Sequence, residues 1–343
     1  MRILSIFDTS VSNYNLGNQI IMDAVYSHLE EVFPSDFLYK VPYMDVTNHA
    51  LSYLDHSHLA VWGGTNSLCG EMERYTQWGI NADNVRYVKH KVVLMGLGWW
   101  QYQSKTSAYT ARLLRAALSK HHLLSVRDQY SADKLSALGF DNVVNTGCPT
   151  LWELTPEHCR EIPGSISSDT ALMTFTDYDK DEKRDLALYH AVKRHYKNVV
   201  FWVQGVGDHH YITRELGLAD EEILAPRLEV YNRFLEQYRP DYIGTRLHGG
   251  IRALQKKCRA IILSVDNRAK EMGRDFNLPV IENSEIESAI TRNFPQITLP
   301  QENIRRWKSQ FARGDEAPDA YVQMKTIGSA ALIQRIKQAF SGL

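Results

Sequence analysis

The chain has 343 residues, with 39 Lys and Arg against 40 Asp and Glu, 44% hydrophobic content and a formal net charge of −1 at pH 7. This length exceeds what one hydrophobic core usually supports, so two domains are expected. The balanced charge argues against a nucleic-acid-binding protein, which needs a clustered basic excess, and against an acidic disordered chain.

The sequence contains no sign of a membrane span or a metal site. The longest apolar run, Val92 to Trp100, falls far short of the roughly 20 residues that cross a bilayer. Arg2 carries a charge too early for a signal-peptide core, so the first residues are expected to form a buried strand. The cysteines lack metal-ligand spacing, which predicts free thiols and a cytoplasmic protein without a metal site. They are Cys69, Cys148, Cys159 and Cys258.

Short apolar runs alternate with longer amphipathic stretches in the first half of the chain. Continuous Val, Ile and Leu runs are typical of parallel strands that are covered on both faces. Strand–helix alternation of this kind favours a doubly wound α/β domain. The predicted strands are 2–7, 58–62, 91–97, 122–126 and 142–145, and the predicted helices are 17–33, 107–121 and 129–138.

A stretch rich in Pro, Gly and Ser, 162–169, is the best linker candidate, and the alternation restarts after it. The second set of predicted elements comprises strands 171–176, 199–204, 242–245 and 260–265, helices 182–195, 227–238 and 249–256, and a final helix with Ile327, Ala331, Ile336 and Phe340 on one face. The predicted fold class is therefore α/β, with two Rossmann-like domains facing a cleft and a C-terminal helix. The expected division is 1–162, 163–300 and a C-terminal helical segment, 301–343.

The turns that follow the strands are the places to search for a site, because ligands of open α/β sheets bind beyond the carboxyl ends of the strands. The strongest candidate is the run from Thr245 to Gly250, Thr-Arg-Leu-His-Gly-Gly. Arg246 offers a planar fork for a carboxylate or phosphate, and His248 can move a proton near neutral pH. Gly249 and Gly250 can open the next helix with bare N–H groups. The alternative is that the glycines only make the turn and His248 caps the helix.

A second candidate is the Ser-Val-Arg-Asp run, 125–128, which also ends a strand. Asp128 is well placed as an N-cap. Arg127 opposes the helix dipole at that position, so an anion beside it explains the arrangement. A simple ion pair between Arg127 and Asp128 explains it equally well.

Three further turns carry weaker signals. The residues Gly63 and Gly64 form one glycine-rich strand exit, and 96–100 forms another, but neither completes the GxGxxG pattern of dinucleotide sites. Asn15 and Asn18 follow the first strand and can cap the first helix or contact a sugar. Trp99 and Trp100 are candidates for stacking on a sugar ring, although burial at a domain junction is the alternative.

Taken together, these turns resemble those of the polysaccharide pyruvyl transferase family. The resemblance covers the chain from the first strand to about residue 280. It rests on Asn15, Gly17 and Asn18, Gly63 and Gly64, the Ser-Val-Arg-Asp run with Ser131 and Gly139, and Arg246, Leu247 and His248 with Ala253 and Leu254; Lys270 is a partial match. The sequence departs from the family where many relatives carry Gly-Asp instead of Gly17-Asn18 and Asp-Pro instead of Cys148-Pro149.

The resemblance implies a fold like that of two-domain GT-B glycosyltransferases and transfer of the enolpyruvyl group of phosphoenolpyruvate to a sugar, which leaves a pyruvate ketal and phosphate. His248 is then the expected acid/base. The expected donor ligands are Arg127, Arg246, Leu247, Gly249, Gly250 and Lys270, and the expected acceptor-side residues are Asn15, Asn18, Gly63, Gly64, Trp99 and Trp100.

The expected partners are phosphoenolpyruvate as co-substrate, with no separate cofactor, and a sugar acceptor of a surface polysaccharide or its lipid-linked precursor. Membrane association is expected to be peripheral at most, at the inner face. Two other functions are compatible with the same fold. One is a GT-B glycosyltransferase that uses a nucleotide sugar, and the other is a catalytically inactive glycan-binding protein.

Overall fold

The computed structural model describes residues 1–312. The predicted helix through Ile327 and Phe340 lies outside these residues. The strands are β1 (Ile3–Asp8), β2 (Phe37–Pro42), β3 (Leu59–Gly63), β4 (Val92–Met95), β5 (Leu124–Val126), β6 (Val143–Asn145), β7 (Thr170–Thr174), β8 (Asn198–Trp202), β9 (Glu222–Leu224), β10 (Asp241–Gly244), β11 (Ala260–Leu263) and β12 (Val280–Ile281). The helices are α1 (Leu16–Val32), α2 (Asn48–His56), α3 (Ala108–Ala117), α4 (Gln129–Ala137), α5 (Pro156–Cys159), α6 (Glu182–His195), α7 (Asp208–His210), α8 (Leu228–Tyr238), α9 (Leu247–Gln255), α10 (Asn267–Phe276), α11 (Ile286–Ala289) and α12 (Gln301–Ser309).

The N-terminal domain is built on a parallel sheet in the order β2-β1-β3-β4. The parallel pair β5-β6 extends it, because Leu97 just beyond β4 bridges to Val126 of β5. The resulting order, 2-1-3-4-5-6, is that of flavodoxin-like sheets, in which ligands bind where the chain changes direction between the first and third strands.

The C-terminal domain holds a parallel sheet in the order β12-β11-β10-β7-β8-β9. Counted from β7 this is the order 3-2-1-4-5-6 of dinucleotide-binding sheets, and its change of direction lies between β7 and β10. Residues 162–169 form neither helix nor strand and connect the two sheets. The prediction of two Rossmann-like domains is confirmed.

Most of the predicted elements form within a few residues of their expected bounds, and the differences concern short or exposed elements. No element was predicted for β2, whose residues are mostly exposed or half-buried at the edge of its sheet. Helix α10 was missed as well, since charged residues alternate with its buried Ala269, Met272 and Phe276. Both elements depend on tertiary packing rather than on a local apolar pattern.

The two domains share one continuous packed region beside the cleft. Helix α1 packs against α9 from the other domain, and Arg252 of α9 forms an ion pair with Asp23 of α1. Helix α12 returns to the N-terminal domain, where the indole N–H of Trp307 donates to the carbonyl of Leu94 at 3.0 Å and its ring packs on Trp152. These contacts hold the carboxyl edges of the two sheets face to face. Within residues 1–312 no helix is long and apolar enough to cross a membrane.

Candidate active site in the interdomain cleft

A cleft of about 820 Å³ lies between the carboxyl edges of the two sheets. The turns after β1, β2, β3 and β4 line it from the N-terminal domain, and those after β7 and β11 line it from the C-terminal domain. This is the place at which the strand order of both sheets predicts a ligand site.

Arg127 lies fully buried behind the cleft, at the end of β5. Its Nε donates to Asp128 at 3.2 Å, and one Nη donates to Oδ1 of Asn66, a cleft residue. The other, Nη1, has no hydrogen-bond partner among the described residues. A Cβ at Gly98 would lie 2.1 Å from Nε, so a glycine is needed there for the guanidinium to fit. Burial lowers the pKa of Arg127, and Asp128 opposes that effect, so the group stays charged.

His248 is the second buried group and occupies the first turn of α9. Its Nε2 lies 3.8 Å from the Sγ of Cys148, which is also buried. Burial, together with the charges of Arg268 and Arg127, lowers the pKa of His248 to about 3. The imidazole is therefore neutral at pH 7 in the unliganded protein, instead of titrating near neutral pH as the sequence suggested.

Arg268, which the sequence analysis missed, lines the cleft. Its Nε donates to Asp266 at 2.8 Å, and Nη2 donates to the hydroxyl of Tyr178 at 2.6 Å. Burial alone would raise the pKa of Asp266, but Arg268 and Arg127 outweigh it and hold that pKa at about 2. The signal in the sequence was an N-cap Asp followed by Arg at the strand exit after β11.

Lys270, predicted to bind the donor, lies outside the cleft lining. Its side chain is 61% exposed, and its ammonium lies 3.5 Å from Glu282. The physical reason is helical geometry: α10 begins at Asn267, so a residue two positions after Arg268 points about 200° away around the helix axis. Arg268 is the cation that α10 presents to the cleft.

Arg246 lies in the turn after β10, as predicted, but its guanidinium is buried among carboxylates. It pairs with both oxygens of Asp208 and with Asp177, the latter at 2.9 Å. Asp208 in turn accepts from the backbone N–H groups of Gln204 and Gly205 at 3.0 and 2.8 Å. Arg246 therefore ties together the loops that follow β7 and β8.

Helix α9 begins at Leu247, two residues earlier than predicted. The backbone N–H groups that are free to bind an anion therefore belong to different residues from those predicted. The N–H of Gly250 donates to the carbonyl of Arg246 at 3.1 Å and is not available to a ligand. The N–H groups without an acceptor inside the helix belong to Leu247, His248 and Gly249. Gly250 serves packing instead, because a Cβ there would lie 2.5 Å from Ile262. The side chain of Leu247 is part of the hydrophobic core.

On the acceptor side, Asn15, Asn18 and Trp100 line the cleft, whereas Trp99 does not. The indole of Trp99 is fully buried and donates to Gln103 at 2.8 Å, so it offers no face to a sugar. Gly63 and Gly64 lie behind the cleft and are buried. Gly64 has φ +67° and leaves room for Ile21 of α1, which explains both residues as packing and turn positions.

Several buried polar atoms at the carboxyl edges lack a hydrogen-bond partner within residues 1–312. They are Oγ1 of Thr9, Nη1 of Arg127, Oγ1 of Thr176, Oε1 of Gln204 and Oγ1 of Thr245. Orphaned polar atoms are few in native interiors and call for a ligand or solvent partner. These five atoms follow β1, β5, β7, β8 and β10, and ten other buried side-chain atoms of the described residues also lack a partner. The described residues contain no cluster of His, Cys, Asp or Glu that is arranged to hold a metal ion.

Two facing Rossmann-like domains and a helix that returns from the second domain to the first give the protein a GT-B-like fold. The family described as polysaccharide pyruvyl transferase matches residues 15–267. Since this is well over half of the chain, the protein belongs to that family.

A comparison with curated proteins finds no match. Solved structures with a similar arrangement include that of S. aureus MnaA with UDP (13% identity, TM-score 0.47, covering 89% of this chain and 95% of that chain). UDP-GlcNAc 2-epimerase from Neisseria meningitidis bound to UDP-GlcNAc has 11% identity and a TM-score of 0.45, covering 97% of this chain and 100% of that chain. The wall teichoic acid polymerase TagF has 12% identity and a TM-score of 0.43, covering 99% of this chain and 90% of that chain.

Proposed function

We propose that the protein transfers the enolpyruvyl group of phosphoenolpyruvate to two hydroxyls of a sugar, forming a pyruvate ketal and releasing phosphate. The observation that carries this proposal is the buried Nη1 of Arg127, which has no hydrogen-bond partner within residues 1–312. The charges of Arg127 and Arg268 both act on His248, which is neutral. The acceptor is a sugar of a surface polysaccharide or of its lipid-linked precursor, in keeping with the family.

Phosphoenolpyruvate carries a carboxylate and a phosphate, and the site offers two sets of cationic and N–H groups that can bind them. Arg127 supplies a free N–H and a charge at the exit of β5. Arg268 and the first N–H groups of α9 supply the other group from the C-terminal domain. Arg246 acts as a positioning residue through Asp208 and Asp177.

The reaction needs a proton at the methylene carbon and two new C–O bonds at the neighbouring carbon. His248, neutral at the start, accepts the proton of the first sugar hydroxyl and delivers it to the methylene, which becomes a methyl group. The first hydroxyl oxygen bonds to the adjacent carbon. The oxygen of the second hydroxyl then bonds to the same carbon, the bond between that carbon and the phosphate oxygen breaks, and inorganic phosphate leaves with the proton of the second hydroxyl. Burial is the main cause of the lowered pKa of His248, and a bound donor relieves the smaller effect of the charges of Arg268 and Arg127, which raises that pKa.

We further propose that no cofactor besides the donor takes part, and that the protein works in the cytoplasm, with at most peripheral contact with the inner face of the membrane when the acceptor is lipid-linked. The acceptor side of the cleft carries amides and aromatic rings suited to a sugar, as at Asn15, Asn18 and Trp100.

The proposal is tested by calorimetric titration of phosphoenolpyruvate, with UDP-sugars, CMP-sugars and NAD as competitors. Wild-type protein should bind the donor saturably, and Arg127→Lys should weaken it, because lysine keeps the charge but loses the planar fork. Arg112→Lys, at an exposed position of α3, is the control. Binding of a nucleotide sugar in place of phosphoenolpyruvate would favour a glycosyltransferase. Glycan binding without any donor would favour an inactive binding protein.

The role of His248 is tested by its conversion to Gln. Turnover should fall about 10²- to 10⁴-fold, which is the usual contribution of a positioned acid/base. Donor affinity should change little, since the arginines and backbone N–H groups remain. Unchanged release of phosphate in this variant would remove His248 from the mechanism.

A further inference from the structure

The two walls of the cleft differ in charge. The N-terminal domain lines it with the segments 13–18, 43–44, 65–66, 75–77 and 100–102, which we call the acceptor wall. These segments contain no Asp, Glu, Lys, Arg or His. The opposite wall, from the C-terminal domain, presents Asp179, Asp266 and Arg268. The acceptor wall is therefore electrically neutral near pH 7, whereas the donor side holds the charges.

The centre of the acceptor wall is a pair of aromatic rings. Tyr75 and Trp100 pack with ring centroids 4.3 Å apart, and Tyr75 is 43% exposed. The side-chain amide of Gln77 donates to the hydroxyl of Tyr75 at 2.7 Å. Such rings combine an apolar face with a polar edge, as a sugar ring with its hydroxyls does.

Buried residues next to Tyr75 in sequence and in space hold this aromatic pair in place. Trp78, next to Gln77, is buried and stacks on Trp62 of β3 with centroids 4.0 Å apart. The carbonyl of Tyr75 accepts from the thiol of Cys69 at 2.9 Å. A surface anchored to a core strand is preorganised, so binding a ligand there does not require ordering the loop.

A charged acceptor would meet no counter-ion on this wall. Arg268 belongs to the opposite wall, and in the function proposed above both Arg268 and Arg127 are occupied by the donor. A carboxylate or phosphate placed against the wall would lose water without gaining a cation, which is unfavourable. Amide groups and tyrosine hydroxyls can satisfy sugar hydroxyls instead, because each side chain both donates and accepts.

Accepting the function proposed above, we propose that the acceptor is an uncharged stretch of glycan, two or more sugars long, whose ring lies against Tyr75 and Trp100. The cleft volume of about 820 Å³ lies near the upper end of ligand sites and exceeds what the compact donor needs. A uronate, a sugar phosphate or the diphosphate of a lipid carrier then lies beyond the acceptor wall.

The test is a set of immobilised oligosaccharides in matched pairs, in which the terminal CH₂OH of a hexose is replaced by a carboxylate. We expect the neutral member of a bound pair to bind at least about tenfold more tightly, with little change between low and high salt. Equal or tighter binding of the uronate, or binding that salt abolishes, would overturn the proposal.

Variants locate the effect. Tyr75→Ala should weaken neutral glycans, whereas Tyr53→Ala, of similar exposure on α2 and outside the cleft lining, should not. Gln77→Lys should shift preference towards uronates, with Gln237→Lys on the exposed face of α8 as its control. An unaltered glycan profile in Tyr75→Ala would refute the assigned surface.

The donor titration separates this inference from the function on which it rests. If phosphoenolpyruvate fails to bind while neutral glycans are still preferred, the proposed transfer reaction is refuted and the proposed binding of neutral glycans to the acceptor wall is not. If phosphoenolpyruvate binds and the uronates bind as tightly as the neutral glycans or more tightly, the proposal of a neutral acceptor is refuted and the proposed transfer reaction is not.

Discussion

Asn66 joins Arg127 to the acceptor wall. Its Oδ1 accepts a hydrogen bond from an Nη of Arg127, and its Nδ2 donates to the carbonyl of Trp100 at 2.9 Å. A single amide at the exit of β3 thus orients both the buried cation and the strand exit that carries Trp100. Because an amide is uncharged, Asn66 adds no negative charge to the ion pair of Arg127 with Asp128, and Nη1 has no hydrogen-bond partner within residues 1–312.

Asn66→Asp should weaken donor binding more than Asn66→Ala does. The new carboxylate would pair with Arg127 and compete with the donor, whereas alanine only removes one hydrogen bond. Charged hydrogen bonds contribute about 1.5–3 kcal/mol, so donor affinity should fall by about one to two orders of magnitude in Asn66→Asp. Calorimetry measures the effect, with exposed Asn48→Asp on α2 as the control. Equal affinities in Asn66→Asp and wild type would contradict the position assigned to the donor.

Arg268 and Lys270 offer a second comparison on one helix. Arg268→Ala should reduce donor affinity at least about tenfold, since it removes a charged partner from the cleft lining. Lys270→Ala should leave affinity within about twofold, because exposed ion pairs such as Lys270 with Glu282 contribute little. The opposite ranking would restore Lys270 as the donor ligand.

His248 should make the unliganded protein sensitive to acid. Its pKa is about 3 in the folded state and near 6.5 when unfolded, so the unfolded chain binds more protons between these values. Stability therefore rises with pH across this window and is lost as pH falls below 6.5. Between pH 7.5 and 5.0 the His248 contribution to the loss is about 2 kcal/mol.

Urea unfolding of wild type and His248→Gln at both pH values measures this contribution as a difference. The variant should lose less stability on acidification, while His28 and His122, whose pKa values burial also lowers, act equally in both proteins. A loss of the same size in the two proteins would mean that the pKa of His248 is the same in the folded and unfolded states, which contradicts the lowered pKa.

The sequence predicted the fold well because both sheets are parallel and buried. Runs such as that of β4 are fully buried on both faces, so their apolar pattern is continuous and easy to recognise. Edge strand β2 and helix α10 lack such a pattern, and Arg268, in the first turn of α10, was missed with it.

The hydrogen-bond and ion-pair partners of buried side chains could not be predicted from the sequence. Arg127 and Arg246 look equivalent as arginines at strand exits, yet one keeps an unpaired Nη1 and the other is enclosed by two aspartates. Asp177 and Asp208 lie 69 and 38 residues from Arg246 in sequence. Only the folded chain shows that they meet it. Likewise, burial of Trp99 and exposure of Tyr75 depend on how loops after β3 and β4 pack together.

Arg246→Met should destabilise the C-terminal domain, because it leaves Asp208 buried without its guanidinium. Removing one partner of a buried pair costs about 3–5 kcal/mol. Burial already raises the pKa of Asp208, and loss of Arg246 raises it further, so the deficit relative to wild type should shrink as pH falls from 7.5 to 5.0. The double variant Arg246→Met with Asp208→Asn should recover part of the loss, since the amide can still accept from Gln204 and Gly205. Urea unfolding of Arg246→Met, Asp208→Asn and the double variant measures the coupling, and strictly additive losses would show that Arg246 and Asp208 do not act as a pair.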